Sequence, residues 1–362
     1  MAAVGRAIRE EVVRALNAKM KQEGIDSSQW ARVLRISDKE VAELTQIARR
    51  HAQCADRLHR VGQGRCGDKL NSVRDNFLSS FNARLCAAIR ALTKCRTPTT
   101  LEEICAFAES LNVGTPLSEP VRARVVPKAK DGFRALVKYG PRRMAQQFIV
   151  RDLLTAMDID SDCDFSRRGA GGEKALIKEV CRLIGQGYQH WKGADIQECF
   201  ASLRPGHFGW LPLPEKLLRN VVFLPKCAKI KVVWTSDMMA IAKSRIPKDN
   251  SVGYTDPTLH QTINLVTEKV RQGLPQGAVL SPLIARAFVG RELRVALGDH
   301  QVARLSFVDD LAIGACSSSS AEAALDALRK RLKSLPAGPI SLHIDQPAPQ
   351  GCQEHNLKPV CW

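Results

Sequence analysis

The most restrictive feature of this chain is a pair of adjacent acids, Asp309 and Asp310, placed between two apolar runs. The runs cover Leu305 to Val308 and Leu311 to Ile313, which is typical of a tight β-hairpin with carboxylates at its tip. Neighbouring carboxylates repel one another, and a divalent cation would neutralise both in a half-buried turn. Because Asp also suits ordinary turns by bonding to its own backbone, the pair alone does not distinguish a metal site from a plain hairpin.

The charge of the chain predicts a polyanionic partner. Its 362 residues suffice for a large core and more than one domain, and its formal net charge is +17. An excess of this size on a globular chain favours nucleic acid over a membrane surface. No apolar run approaches the roughly 20 residues of a membrane-spanning helix, and the N-terminus is amphipathic rather than a signal peptide. We therefore expect a soluble cytoplasmic protein without a membrane partner.

The 12 cysteines form no Cys-x-x-Cys pair and predict small buried residues in a reducing compartment. Cys352, His355 and Cys361 in the tail suggest zinc, but three candidate ligands without an evident fourth make a poor structural site. We favour the interpretation that they are unrelated tail residues.

Residues 1 to about 117 have the pattern of a helical region. Apolar stripes at helical spacing and pairs with capping-box spacing mark its helices. The stripes are Ile8, Val12, Val13, Leu16 and Met20, then Val41, Leu44, Ile47 and Ala48, and the pairs are Ser37 with Glu40 and Thr100 with Glu103. The arginines interspersed with them include Arg49, Arg50, Arg57 and Arg60. They form either a surface that faces nucleic acid or solvated helix faces.

The pattern changes around Gly114 to Pro116, and from Val121 onward short β-rich runs alternate with helical ones. This alternation favours an α/β or α+β domain, and α+β is the class that we expect.

We predict an N-terminal helical region over residues 1–117, a main domain over 118–345 and a short tail over 346–362. Ser317 is predicted to cap a helix that carries Leu325 and Leu328 inward.

The segment from Val125 to Val137 is predicted to form a second hairpin, with a polar turn at Asp131-Gly132. Lys128 and Arg134 would then project from the same ribbon. An arginine fork and a mobile lysine charge held close together suit a triphosphate. The alternative is a solvent-exposed basic hairpin, which the segment alone favours slightly.

Asp195 is predicted to lie at the end of a strand that opens on a cleft. Phe200 follows five positions on, where the chain turns into a helix and could carry a ring over the same cleft. The alternative for a lone strand-end Asp is a helix cap.

A turn-rich loop follows at residues 272–280. Gln276 stands between Gly273 and Gly277, which let a ligand or another backbone approach closely, so Gln276 is a candidate contact to a base or sugar. Ser281 is the predicted N-cap of the next helix and Pro282 its first residue. A plain junction between loop and helix is the alternative.

Taken in order, these segments resemble the reverse transcriptase family, in particular the bacterial type found in group II introns, retrons and phage-defence systems. The matching motifs are Pro127-Lys128-x-x-x-Gly132-x-Arg134, Asp195-Ile196-x-x-x-Phe200, Leu274-Pro275-Gln276-Gly277-x-x-x-Ser281-Pro282 and Phe307-Val308-Asp309-Asp310. A stretch from Asp164 to Gly169 that leads into Ala175 and Leu176 is similar to a template-side element of the family. The likeness covers about residues 121 to 345 and implies the fingers and palm of a right-hand polymerase.

The resemblance implies that Asp195 and Asp309 hold two Mg²⁺ ions, with Asp310 alongside and the Ile196 backbone carbonyl as a further ligand. Mn²⁺ is the alternative ion. In such two-metal catalysis one ion lowers the pKa of a primer 3′-hydroxyl and the other neutralises the departing pyrophosphate. The expected activity is RNA-directed DNA polymerisation from dNTPs, on an RNA template with a DNA or RNA primer.

The resemblance also implies the nucleotide contacts. Phe200 matches an aromatic gate that would clash with a ribose 2′-hydroxyl and so select deoxynucleotides. Lys128 and Arg134 match the residues that bind the triphosphate, and Gln276 matches the glutamine that contacts the nucleotide.

The chain departs from the family after a predicted strand from Ser341 to Ile344, because no helical thumb is recognisable in the tail. Either a partner supplies the primer grip and the thumb, or the chain is a short or truncated member with weak or no activity. The family's usual lysine after the hairpin is not evident, and His343 and Gln346 stand near its place. The alternatives are a silent palm that binds a structured noncoding RNA of a retroelement or defence system, an RNA-templated RNA polymerase, and a template-independent or protein-primed polymerase.

Overall fold

The computed structural model describes residues 38–63, 67–95, 101–128, 133–159, 162–167, 169–233, 236 and 256–344. These ranges contain eleven α-helices and two small β-sheets, which confirms the predicted α+β class. Several predicted features lie outside the described residues: the stripe from Ile8 to Met20, the capping residues Ser37 and Thr100, the Asp131-Gly132 turn and the tail from Asp345 onward.

The elements are numbered along the chain. The helices are α1 (Asp38–Gln63), α2 (Gly67–Ser79), α3 (Phe81–Cys95), α4 (Leu101–Glu109), α5 (Pro141–Ala156), α6 (Gly172–Gly185), α7 (Cys199–Ser202), α8 (Glu215–Leu217), α9 (Asp256–Arg271), α10 (Ser281–Leu297) and α11 (Ser318–Lys333). The strands are β1 (Val121–Pro127), β2 (Phe133–Lys138), β3 (His190–Ile196), β4 (Ile230–Val232), β5 (Ala303–Phe307), β6 (Asp310–Ala315) and β7 (Leu342–Ile344). None of the described helices combines the length and the apolar character needed to cross a membrane.

The chain divides into two compact units. Of the described residues, the first unit takes those up to Ile159, Pro212–Arg271 and Pro275–Leu280. The second takes those within Asp160–Leu211, Gln272–Leu274 and those from Ser281 onward. The first unit continues across residue 117, where a domain boundary is predicted, and that residue lies in the connection between α4 and β1.

The sheet of the first unit has the order β2-β1-β4, in which β1 pairs antiparallel with β2 and parallel with β4. Residues of β1 and β2 alternate between buried and exposed, as expected for a sheet with one solvated face. The buried side chains are Val121, Ala123, Val125, Phe133, Ala135 and Val137. The pairing of Val126 with Arg134 confirms the predicted hairpin.

A buried ion pair joins three helices of the first unit. Arg90 of α3 donates to both carboxylate oxygens of Asp152 in α5, and Nε2 of His51 in α1 lies 3.2 Å from the same carboxylate. At most 2 % of each of these residues is exposed. Burial by itself would raise the pKa of Asp152, but the charge of Arg90 and hydrogen bonds from His51 and Arg90 lower it well below its usual range. The carboxylate is therefore ionised and holds α1, α3 and α5 together.

We expect Asp152→Asn to destabilise the first unit by about 3–5 kcal/mol, because the buried Arg90 charge loses its counter-charge. Denaturant unfolding followed by circular dichroism measures the change in the free energy of unfolding. The matched control is Asp75→Asn. Asp75 is paired with Arg74, but its side chain is 61 % exposed, and its loss should cost under about 1 kcal/mol.

The loss of stability in Asp152→Asn should depend on pH, because Asp152 titrates in the ion pair with Arg90. The pKa of Asp152 is lower in the folded than in the unfolded chain, so its stabilisation is complete above about pH 4 and is lost as the pH falls further. The gap in stability between Asp152→Asn and the parent protein should therefore narrow in acid. A gap that stays constant down to about pH 3, or equal losses in Asp152→Asn and Asp75→Asn, would contradict this role.

The sheet of the second unit is antiparallel throughout and has the order β5-β6-β3-β7. Helix α11 packs on β3 and β6, and α6 lies against β5. Leu176 and Leu183 of α6 form an apolar cluster with Leu305 and Ala312 of the hairpin strands. This cluster gives one face of the sheet its support, and the hairpin tip lies at the end of that face.

Two predicted helix starts lie in the second unit. Ser317 accepts a hydrogen bond from the Ser320 amide at 3.1 Å and caps α11, as predicted. Leu325 and Leu328 of that helix are buried, which confirms its inward face. Helix α10 begins at Ser281, so the predicted N-cap is the first residue of the helix instead.

Candidate functional site

Side chains from four strands of the second unit stand in one row. The predicted hairpin is present, and a two-residue turn joins β5 to β6. Phe307 pairs with Asp310 across the hairpin, Asp310 pairs with Asp195 of β3, and Asp195 pairs with His343 of β7. Directly opposed residues of antiparallel strands point to the same face. Asp195 and Asp310 are therefore neighbours across the strands, although they lie 115 positions apart in the sequence.

Asp309 lies in the turn beside the same end of β3. Its carbonyl oxygen accepts a hydrogen bond from the Ile196 amide at 3.2 Å. The pKa of the nearby Cys199 thiol is raised well above its usual range. Burial is the largest cause, and the negative charges of Asp309 and Asp195 add to it. Cys199 is 2 % exposed, and its thiol stays protonated. The three predicted acids thus lie at one end of β3.

The donors at this end of β3 fit a hard divalent cation. Mg²⁺ takes oxygen ligands in octahedral geometry and usually binds through one or two carboxylates, with water and substrate oxygens in the other positions. Directly opposed residues such as Asp195 and Asp310 have Cβ atoms about 4.5–5.5 Å apart, which lets both carboxylates reach one ion. Within the described ranges no three Asp, Glu, His or Cys side chains are already gathered into a metal-binding group. A cation would draw together carboxylates that otherwise repel one another.

The turn that carries Asp309 is strained. Val308 has a φ of 62°, a left-handed conformation that is unusual for a β-branched residue. Such a residue costs about 1–3 kcal/mol and persists only where its surroundings hold it. Asp164 provides one restraint, because its Oδ2 accepts a hydrogen bond from the Val308 amide at 3.2 Å. In the sequence, only the family resemblance singles out the segment that contains Asp164. The spacing of Asp164 and Ser166 is that of an Asx turn, and this local signal could have identified Asp164 as a structural residue.

Phe200, the predicted sugar gate, lies half-buried in the four-residue helix α7. Its carbonyl oxygen accepts a hydrogen bond from the Leu274 amide at 2.6 Å. Gly273 permits this approach, since its φ is 63° and a Cβ there would overlap the Phe200 oxygen and lie 2.7 Å from the Cα of Ala201. The predicted role of Gly273, close approach of another backbone, is confirmed.

Lys128, Arg134 and Gln276, the other predicted nucleotide contacts, belong to the first unit. Arg134 lies on the exposed face of β2, and Lys128 is exposed immediately after β1. The carbonyl oxygen of Gln276 accepts a hydrogen bond from the Val137 amide at 2.7 Å, which attaches the loop to the same hairpin. Gly277 has a φ of 89° there, and a Cβ would lie 2.8 Å from the Val137 oxygen. Because the acids belong to the second unit, a shared site stays a prediction.

The exposed face of the first sheet is strongly basic. Its cations include Arg122, Arg124, Arg134, Lys138 and Lys231. Arg122 pairs with Lys138 on one side and with Lys231 on the other, and the three strands contain no acidic residue. Like charges opposite one another destabilise a sheet, and a polyanion laid on this face would relieve that repulsion.

Comparison of the sequence with the models of known protein families found no match, and a search of curated proteins found none either.

We expect Gly273→Ala to destabilise the second unit far more than Gly187→Ala. Both glycines have positive φ, 63° and 99°, so each variant bears the cost of a left-handed residue, about 1–2 kcal/mol. A methyl group at Gly187 meets no atom within 4 Å, whereas one at Gly273 overlaps the Phe200 carbonyl. Thermal unfolding measures both variants. Similar shifts in melting temperature would show that the loop at 272–274 does not hold α7 in this way.

Proposed function

We propose that this protein is an RNA-directed DNA polymerase related to the reverse transcriptases. The second unit would be the palm, and the sheet of the first unit would be part of the fingers. The observation that carries the proposal is the cross-strand pair of Asp195 and Asp310 with Asp309 beside it. Carboxylates from distant segments that meet at one strand end are what two-metal nucleotidyl transfer requires. The order of the motifs along the chain supports the same family.

The proposed reaction joins a deoxynucleotide to a primer 3′-hydroxyl. Bound Mg²⁺, with Mn²⁺ as the alternative, would supply the charge that lowers the pKa of the hydroxyl and stabilises the departing pyrophosphate. Asp195 and Asp309 would hold the ions, with Asp310 alongside and the Ile196 carbonyl as a further oxygen ligand. Carboxylates alone leave coordination positions for phosphate oxygens. Because the bound ion would lower the pKa of the hydroxyl, this chemistry needs no His or Cys base.

Other side chains would bind and orient the nucleotide. The Phe200 ring would lie under the sugar and exclude a ribose 2′-hydroxyl. Lys128 and Arg134 would bind the triphosphate, since the arginine fork matches phosphate oxygens and the lysine adds a mobile charge. Gln276 would contact the base or sugar from a loop that is attached to the same hairpin.

The basic surfaces of the first unit suit the template and primer. The exposed face of its sheet carries cations on all three strands, and the exposed side of α1 carries Arg49, Arg50, Arg57 and Arg60. Contacts from such residues to phosphates fix the position of a nucleic acid without reading its sequence.

Asp195→Asn and Asp309→Asn should each lower primer extension by about 100-fold or more, because each removes a charge from the proposed ion site. Extension is measured with dNTPs and Mg²⁺ on an RNA template. Asp299→Asn is the control, since Asp299 is an exposed acid in the turn before β5. If primer extension survives the combined loss of the Asp309 and Asp310 carboxylates, the proposed polymerase site is refuted.

Phe200→Ala should relax the choice of sugar. Without the ring, the preference for dNTP over rNTP in kcat/KM should fall roughly tenfold or more, which corresponds to about 1.4 kcal/mol of lost discrimination. Phe200→Tyr keeps the ring and should keep the preference. If the ratio of kcat/KM for dNTP to that for rNTP is unchanged in Phe200→Ala, Phe200 does not belong to the nucleotide site.

The second candidate function is binding of a structured RNA by a catalytically silent palm. The basic surfaces of the first unit favour it, since they would serve this role without any chemistry. Tight, salt-sensitive RNA binding with no incorporation of dNTP or rNTP on any template would support it, and robust incorporation would exclude it. Reactions with and without template, and with rNTP in place of dNTP, separate the template-independent and RNA-synthesising alternatives.

A further inference from the structure

Asp164 connects two segments of the second unit that are distant in sequence. The residue is 1 % exposed and forms a parallel bridge with Ser306 of β5. The Ser306 amide donates to the Cys163 carbonyl at 2.8 Å, and the Ser306 carbonyl accepts from the Phe165 amide at 3.0 Å. The segment 163–165 therefore extends the sheet by a short stretch of backbone along the outer edge of the acidic hairpin.

Both oxygens of the Asp164 carboxylate accept hydrogen bonds. Oδ1 accepts from the Ser166 amide at 2.6 Å and from the Ser166 hydroxyl at 2.5 Å. Oδ2 accepts from the Val308 amide at 3.2 Å. Oδ1 thus closes a local turn, whereas Oδ2 reaches the strained residue at the tip of the hairpin. A buried carboxylate needs such donors, because it has lost its contact with water.

We propose that Asp164 is the positioning residue of the acidic hairpin. Its Oδ2 holds the Val308 amide, so that this valine keeps its left-handed backbone and Asp309 keeps its place beside β3. Without this restraint, a β-branched residue at φ 62° would relax toward negative φ. That rotation would carry with it Asp309, whose carbonyl accepts from the Ile196 amide. The catalytic part of the proposal rests on the proposed function, whereas the structural part does not.

A simpler role for Asp164 is to stabilise the turn at Ser166. In that case the bond to Val308 is incidental, and loss of the carboxylate has the same effect whichever residue stands at position 308. The two roles therefore differ in the coupling between positions 164 and 308, which a double-mutant cycle measures.

The cycle consists of Asp164→Ala, Val308→Gly and the double variant. Glycine adopts positive φ without strain, so the hairpin of Val308→Gly does not need the restraint from Asp164. The first readout is amide hydrogen exchange at Phe307, Asp309 and Asp310, which requires no activity. The amide of residue 308 is left out, because it loses its own acceptor in both backgrounds. We expect Asp164→Ala to speed this exchange about tenfold in the parent protein and less than about threefold in the Val308→Gly background.

Primer extension is the second readout. Loss of a positioning residue should lower kcat for dNTP incorporation with little change in KM, because substrate binding is left intact. Asp164→Asn should recover part of the loss, since its amide oxygen can still accept from the Val308 amide. The control is Asp162→Ala. The Asp162 side chain is 98 % exposed in the same segment, and its loss should change neither exchange nor kcat.

If Asp164→Ala speeds amide exchange equally in the parent protein and in Val308→Gly, the proposal is overturned. Asp164 would then stabilise only the turn at Ser166. An active parent protein whose kcat is unaffected by Asp164→Ala would also overturn it. A parent protein that extends no primer would refute the proposed function, and the exchange cycle alone would then decide whether Asp164 restrains Val308.

Discussion

The candidate site depends on the register of β3 against β6. In this register Asp195 stands opposite Asp310, and a slip of one residue would turn every side chain of the strand to the other face. A close contact at the far end of the same ladder supports this register. There Trp191 is paired with Gly314, and its ring lies so close that a Cβ on Gly314 would come within 2.7 Å of it. The indole also donates to the Tyr188 carbonyl at 2.7 Å, so an aromatic contact at one end of β3 contributes to the register that places the carboxylates at the other.

Two unfavourable features meet at the hairpin tip, and the surrounding structure holds both. Adjacent carboxylates repel one another, and Val308 adopts a backbone conformation that suits glycine better. The apolar cluster between α6 and the hairpin strands, the ladder to β3 and the buried Asp164 keep the turn in place. Strain of this kind is typical of functional sites, where a fixed geometry matters more than local stability.

Charge is distributed differently in the two units. The second unit collects acids at one strand end, where they attract cations. The first unit presents a sheet face without acids and an arginine-bearing helix, which attract phosphates. Inside the first unit, Arg90 and Asp152 neutralise one another out of contact with water. The acids at the end of β3 and the cations on the sheet face are the charged groups to which the proposed function assigns a metal ion and a nucleic acid.

The sequence by itself determined the features that depend on near neighbours. Apolar runs on either side of a polar turn predicted both hairpins, and Ser317 predicted the start of α11, because tight turns and helix caps involve residues only a few positions apart. Only the tertiary structure decided that Asp195 faces Asp310 and that Asp164 accepts a hydrogen bond from the amide of Val308, 144 residues away. Contacts of that kind depend on which strands become neighbours and in which register. Packing of the whole unit selects that register, and no local pattern of residues carries it.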